Sequence, residues 1–418
     1  MEPIITTLDN GLTVATDAMP DVRSVSLGIW VNVGSRDERP DQAGMAHFME
    51  HMLFKGTPDH TATELSAAFD ALGADVNAFT NREYTCFHAR FVDEQLDSVL
   101  SLLAEMVCDS TFAAQDIEPE RQVVVEEIAR SQDTPDDYVF DLFSDALMPT
   151  HPLGRPVLGT RDLVSGYGTD DCRAFHDAHY AARTIVVAAA GNVDHARLLE
   201  LVQRCFSHLA VGSAPERPRI AEHARKRFAC QTKDTEQAHF VYGFPWMDAF
   251  DDRRFAGTLG SAILGGSMSS RLFQEVREKN GLAYSIFSQG ALYRDAGLFC
   301  VYCGTRPENL GRALQIVRRE VARLAQEPPS KEEVQRQCGA LCGPLLMSVE
   351  STMSRMLRLG RCLTMGTPLH AVDELAETYR ALTPDDVQRV AAEFLDQEPT
   401  VAVVSPYDAQ TVEGLLGE

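Results

Sequence analysis

The sequence predicts an α+β protein of two structurally similar domains, each a mixed β-sheet packed with α-helices. Three observations lead there. The chain has 418 residues, roughly twice what one hydrophobic core usually organises. Strand-like and helical apolar patterns follow one another within each half. The second half then repeats the order of the first, faintly but in sequence.

The elements can be justified in order. Asn10-Gly11 between ITTL and LTVAT is a hairpin signal, and VSLGIWVNVGS (25 to 35) reads as a buried strand ending in a turn. Helical patterns follow at 42 to 54 and in TATELSAAFDALG (61 to 73), where Thr63 is the candidate N-cap and Gly73 the stop. ADVNAFTNREYTCFHARF predicts a strand pair turning near Asn81-Arg82, and helices are expected over 93 to 108 and 116 to 133. A strand-and-helix unit, RTIVVAAAGNVDHARLLELVQRCFSHL, closes this half near residue 209. Prolines, charges and the absence of an apolar period mark a linker at 213–226, between an N-terminal domain 1–212 and a C-terminal domain 227–418. In the second copy, AHFVYGFPW (238 to 246) stands where VSLGIWVNV stood, and FAGTLGSAILGG (255 to 266) replaces the helix at 42 to 54. TVAVVSPYDAQTVEGLL near the end repeats IVVAAAGNVDHARLLEL.

Composition narrows the function. No apolar run reaches the roughly 18 to 20 residues that span a bilayer, and MEPIITTLDNGLTV has neither the basic start nor the apolar core of a secretory signal. The chain therefore reads as cytoplasmic. Its ten cysteines are scattered through apolar surroundings and are expected to be buried free thiols; Cys300 and Cys303 fall in LFCVYCG, a strand pattern and not a zinc knuckle. A formal charge of −23 repels phosphate backbones and anionic lipid, which argues against nucleic acid and membrane partners. Acid lining a cavity would instead attract basic peptides.

The chemistry-bearing stretch is GMAHFMEHMLFK, residues 44 to 55. On a helix His47 and His51 project from one face a turn apart, with Glu50 beside both. Two imidazoles so placed suit two corners of a tetrahedral zinc site, and Glu50 is positioned to take a proton from zinc-bound water, whose pKa falls to about 7. A hydrolytic zinc needs a third ligand, and the helix EPERQVVVEEIARS offers Glu118, Glu120, Glu126 and Glu127. Glu120 and Glu127 share a face, but helix geometry does not say which binds metal. Core packing alone explains the pair poorly, because two imidazoles and a carboxylate framed by Met45, Phe48, Met49 and Met52 are costly to bury without a charged partner. His88, His176, His179 and His239, standing singly, read as satisfied core histidines. The second copy lacks a histidine pair, so the chemistry is asymmetric.

His-x-x-Glu-His is the inverzincin motif. With Gly44, the run HFMEHMLFKGT and the acidic helix downstream, the chain resembles the pitrilysin and insulinase family of zinc peptidases, close to its mitochondrial processing peptidase branch. The resemblance implies one Zn2+ per chain held by His47, His51 and Glu127, with Glu50 as general base and Glu120 orienting the ligands. It places Asn77 and Ala78, in GADVNAFTNREYT, on a strand against which an extended peptide substrate adds as a further strand. GGSMSSRLFQEVREKNGLAYS resembles the C-terminal segment whose arginine and tyrosine, here Arg277 and Tyr284, reach toward a substrate oxyanion. Read alone, Arg277 is an ordinary charge in REK at a helix end. The same segment resembles, shortened, the glycine-rich loop of the noncatalytic processing-peptidase subunit.

Larger family members join four such domains around a chamber, so two domains imply a half-clamshell and two subunits. The expectation is a homodimer, or a heterodimer with a related chain, in which Arg277 and Tyr284 of one subunit complete the zinc site of the other. The function expected is a zinc-dependent metalloendopeptidase hydrolysing unfolded or extended peptides in a dimeric chamber. The alternative is a noncatalytic or partner-dependent peptide-recognition subunit, which family members of that kind realise without an intact zinc motif. A metal-storing module is a third reading and would not need Glu50.

Overall fold

The computed structural model describes residues 2–217, 225–393 and 397–417. Strands β1 (Ile4–Thr7), β2 (Thr13–Ala18), β3 (Ser24–Val31), β4 (Asp75–Thr80), β5 (Thr85–Val92) and β6 (Ile185–Gly191) form one sheet in the order β1-β2-β6-β3-β5-β4. Strands β7 (Phe228–Thr232), β8 (Ala238–Trp246), β9 (Ala283–Leu292), β10 (Gly297–Thr305) and β11 (Thr400–Ser405) form another, ordered β7-β11-β8-β10-β9. Without β1 the two orders correspond strand for strand. In each, the pair β2 with β6, or β7 with β11, is parallel and the other neighbours are antiparallel. The predicted fold class, two similar α+β domains with mixed sheets, is the one observed.

The central strands are buried along nearly their whole length because both faces are covered. In the first sheet, Leu27, Ile29, Val187 and Ala189 lie in a core with Met45, Phe48, Leu100 and Leu201. Those come from the helices Met45–Met52, Leu96–Cys108 and His195–Phe206. Each such fully buried Leu, Ile, Val, Met or Phe side chain contributes about 1.5–3 kcal/mol. The opposite face, with Trp30, Ala188 and Ala190, meets Met356 and Leu359 of the helix Thr352–Met365. Ser26 Oγ and Thr352 Oγ1 join at 2.9 Å, and Arg355 pairs with Asp17 at 2.8 Å. A Cβ at Gly360 would stand 2.0 Å from Trp30 Nε1, so only glycine lets that helix approach so closely.

That helix lies in the second half of the sequence. The chain accordingly divides into a first unit of Met1–Ala129, Arg155–Pro218 and Ser348–Leu369, and a second of Arg130–Gly154, Arg219–Met347 and His370–Glu418. In the second unit the helix Pro135–Leu147 places Val139, Phe143 and Leu147 against Val241, Ala402 and Val404 of β8 and β11. The expected halves 1–212 and 227–418 thus each give one helix to the other's sheet. Helical period shows that a helix has an apolar face, not which sheet will cover it. Of the stretch 213–226 assigned to the linker, residues 218–224 lie outside the described residues.

Two local expectations change. Thr61, not Thr63, caps the helix Ala62–Ala71, its hydroxyl accepting from the Glu64 N–H while Glu64 reaches back to the Thr61 N–H. This is the capping-box spacing, which Thr63 does not have. The helix expected over 42 to 54 is confined to Met45–Met52, beginning where Gly44 turns left-handed. No helix among the described residues is long and apolar enough to cross a membrane.

Candidate active site

The helix Met45–Met52 turns Met45, Ala46, Phe48, Met49 and Met52 into the core, which leaves His47, Glu50 and His51 on its other face. Its start is fixed twice. Gly44 has φ +98°, and a Cβ there would meet the Leu158 carbonyl oxygen at 2.6 Å. The buried Glu38 carboxylate accepts from the N–H groups of Gly44 (3.0 Å) and Ala46 (2.8 Å), satisfying donors that a helix start leaves free. Burial pushes the Glu38 carboxyl up to about 8, although both donors and the Arg155 charge favour its ionised form.

The acidic helix, Ala114–Asp133, buries Ile117, Glu120, Val124, Val125 and Ile128. Its Glu127 stands over the histidines: Oε2 is 3.4 Å from His51 Nε2 and 3.7 Å from His47 Nε2. His47, His51 and Glu127 each offer a ligand atom within 4.8 Å of the others. Ligands about 2.0–2.1 Å from a tetrahedral zinc lie about 3.4 Å apart, so the donor set and spacing fit that ion. Glu120 Oε1 holds His51 Nδ1 at 2.7 Å, leaving Nε2 for a metal, and Lys55 Nζ holds the other Glu120 oxygen at 2.5 Å. Of the remaining carboxylates, Glu118 is engaged by Arg121 and Gln122, and Glu126 is outside the group.

The charges follow from these contacts. Burial, then the neighbouring His51, pushes His47 down to about 3, so it is a neutral imidazole ready to donate a lone pair. Burial would lower His51 as well, but the hydrogen bond with Glu120 and the Glu127, Glu120 and Glu50 charges hold it above the ordinary value. Burial alone would raise Glu120; its bonds from His51 and Lys55 more than reverse this. Glu50 stays above the usual carboxylate range because it is buried, an effect moderated by a 2.6 Å hydrogen bond from Thr80 Oγ1.

Thr80 ends β4, and β4 is an edge strand of its sheet. Asn77 on that edge is exposed, and its Oδ1 accepts from the Ala78 N–H at 2.8 Å. Thr80, Lys55 and Glu38 are the residues that sequence reasoning missed. Lys55, four places after His51, carried a signal in the spacing; Thr80 and Glu38 carried none.

Arg277 and Tyr284 belong to the second unit. Arg277 sits in a π-helical segment, Phe273–Lys279, a widened turn common at functional sites. Its guanidinium lies over the rings of Phe273 (4.7 Å) and Tyr284 (5.1 Å), so the two predicted residues are neighbours. Tyr284 is 79% exposed. It borders a pocket of about 760 Å³ whose wall includes Asp133, Asp136, Asp137, Asp234 and Glu236. All ten cysteines are free. Cys300 and Cys303 point into different cores, while Cys338 and Cys342 lie 3.7 Å apart on one helix. Of the lone histidines, His176 and His239 are satisfied core residues, His176 bonding the Val107 carbonyl (2.8 Å) and His239 the Tyr302 hydroxyl (2.8 Å). His88 and His179 are only half-buried, and His88 Nδ1 has no hydrogen-bond partner among the described residues, so the expectation of a satisfied core histidine fails there.

Comparison with known proteins gives the family and the fold. Residues 13–161 match the family model described as insulinase, peptidase family M16, and residues 168–341 match that of the M16 inactive domain. A relative in Streptomyces coelicolor named as an uncharacterized zinc protease is 40% identical over 408 residues, 96% of this chain and 89% of the relative. Another so named in Bacillus subtilis is 35% identical over 400 residues, 96% of this chain and 97% of the relative. Two solved structures share the fold, each with a TM-score of 0.90. One, a protease from Helicobacter pylori, is 24% identical and covers 97% of this chain and 100% of its own. The other, a peptidase M16 inactive domain from Pseudomonas fluorescens, is 21% identical and covers 98% and 99%. The chain belongs to the M16 (insulinase) family of peptidases.

Proposed function

We propose that this protein is a zinc-dependent endopeptidase acting on unfolded or extended peptides, with His47, His51 and Glu127 holding one Zn2+ and Glu50 as general base. The observation that carries the reading is the convergence of Glu127 Oε2, from the helix Ala114–Asp133, with the two Nε2 atoms of the helix that bears Glu50, all within bonding reach of one ion. Bound zinc supplies Lewis acidity, lowering the pKa of water toward about 7 and polarising a peptide carbonyl. Glu50 accepts the proton from the attacking water and returns it to the leaving amine, and its raised pKa suits both transfers. Glu120 keeps His51 in the tautomer that presents Nε2. The free edge of β4, with Asn77 and Ala78, offers main-chain hydrogen bonds to an extended peptide.

Arg277 and Tyr284, a cation and a phenol held together, suit a developing oxyanion. In a homodimer they would serve the partner subunit's zinc site. Mixing inactive Glu50→Gln and Arg277→Ala proteins then restores activity; no recovery after demonstrated subunit exchange removes this arrangement. Ten free thiols suit a reducing compartment, and we assign the protein to the cytoplasm.

The test is cleavage of a mixture of unstructured 15- to 30-residue peptides (roughly the length of one to several strands) by wild type and Glu50→Gln at matched zinc content. Cleavage that disappears in the variant supports the peptidase. If both bind zinc and neither cuts, a recognition subunit needing a second chain is the better reading; the inactive-domain match over 168–341 is what keeps that alternative in view.

A further inference from the structure

Glu50 is a long side chain on a short helix, and a general base must present one oxygen to water reproducibly. Thr80 donates to its carboxylate chiefly through the hydroxyl, whose Oγ1 lies 2.6 Å from Oε2, with a smaller contribution from the Thr80 backbone N–H. Thr80 is not on the helix. It ends β4, thirty residues away in sequence, so the aim of Glu50 depends on where the β4–β5 hairpin is held.

That hairpin is held firmly. Asn81 N–H donates to the Tyr84 carbonyl across the turn (2.8 Å), while Ser35 and Arg36 N–H donate to the carbonyls of Asn81 (3.2 Å) and Arg82 (2.7 Å). Thr85 Oγ1 donates to the Val33 carbonyl (3.0 Å). Beneath the turn sits a buried group of four charges. Glu83 pairs with Arg36 at 2.6 Å, and Arg217 donates twice to Asp37 at 2.8 Å and once to the Glu83 carbonyl at 2.6 Å. All four side chains are at most 7% exposed. Opposed charges so enclosed hold a geometry that is costly to leave.

We propose that Thr80 is a positioning residue for the general base. Its hydroxyl occupies one oxygen of Glu50 and turns the other toward the substrate water, and the clasp of Arg36, Asp37, Glu83 and Arg217 fixes the hairpin from which it acts. This rests on the peptidase reading above. Because Thr80 also ends the edge offered to an extended peptide, docking and base alignment share one strand. A purely structural Thr80 would affect folding and peptide binding but not the turnover of bound peptide.

The experiment compares Thr80→Val, isosteric but without the hydroxyl donor, with Thr80→Ser, which keeps it, in the zinc-loaded full-length protein; the backbone N–H is common to both. Thr80→Val should lower kcat about ten- to hundredfold, the effect of losing one hydrogen bond to a charged group, with KM and zinc content changed less than about twofold. Thr80→Ser should restore kcat to within about threefold. Full kcat in a folded, zinc-loaded Thr80→Val overturns the proposal, as does an equal defect in Thr80→Ser. If Thr80→Val does not fold, Thr80→Ala replaces it with the same expectation. Crystal structures of wild type and the variant without the hydroxyl separate this from failure of the peptidase reading. Even if wild type cuts nothing, the Glu50 carboxylate must be turned away in the variant, and an unmoved carboxylate refutes the proposal.

Discussion

At the scale of single residues, the His51 side of the site is a hierarchy of contacts in which each group is oriented by the next, whereas His47 Nδ1 has no hydrogen-bond partner among the described residues. His51 is oriented by Glu120, and Glu120 by Lys55. A carboxylate that fixes a ligand's tautomer without touching the metal typically accounts for about 10–100-fold in metal affinity. Glu120→Gln is therefore expected to weaken zinc binding by about that factor while Glu50→Gln leaves it nearly unchanged, since Glu50 lies outside the ligand group. Competition against a chromophoric chelator measures both. Equal affinity of Glu120→Gln and wild type would show that the His51 contact is packing alone. The same contacts show what the sequence made legible. His47, Glu50 and His51 could be read directly because i, i+3 and i+4 on a helix are neighbours whatever surrounds them. Glu127 could not be separated from Glu120 by helix geometry and needed the family resemblance; only the folded chain shows one beside both Nε2 atoms and the other at His51 Nδ1. Thr80 was illegible, since its meeting with Glu50 is made by the placing of a strand against a helix.

At the scale of elements, the start of the histidine helix is a second point of control. Glu38 is buried and accepts from two of the helix's first N–H groups. Glu38→Ala should destabilise the protein by about 1–2 kcal/mol, the usual cost of a lost cap, measurable by urea unfolding. Its titration gives a direction as well. The folded pKa, near 8, is above the ordinary 4.5. Between those values the folded state holds a proton that the unfolded state has released, so this group's contribution is fully present below about pH 4.5 and is lost as pH rises through about 8. The stability difference between pH 5 and pH 8 should therefore include a fall from Glu38 on the order of a few kcal/mol, and Glu38→Gln should flatten it. An unchanged slope in Glu38→Gln would mean that the two N–H donors and Arg155 keep the carboxylate ionised throughout.

At the scale of the whole molecule, the repeat seen faintly in the sequence is a correspondence of two five-strand orders, whereas the exchanged helices Pro135–Leu147 and Thr352–Met365 left no trace in it. Strand pairing follows local pattern and chain order, but a helix's choice between two equally apolar sheets is settled only when both exist. The net charge of −23 is a second whole-chain property whose meaning the sequence left open between surface and cavity. Four carboxylates around the pocket beside Tyr284, besides Asp133, which is paired with Lys233 in the same wall, place part of it in a concave surface, where fields are focused and cationic ligands gain most. Peptides bearing Arg or Lys should therefore have a higher kcat/KM than the same peptides bearing Gln. That advantage should shrink several-fold between low and about 0.5 M salt, where screening falls to a few ångströms. Asp136→Asn with Asp137→Asn should reduce the advantage at low salt and leave cleavage of the Gln peptides unchanged. Equal cleavage of both peptide sets at every salt concentration would assign the negative charge to keeping the protein dispersed in solution, with no part in substrate choice.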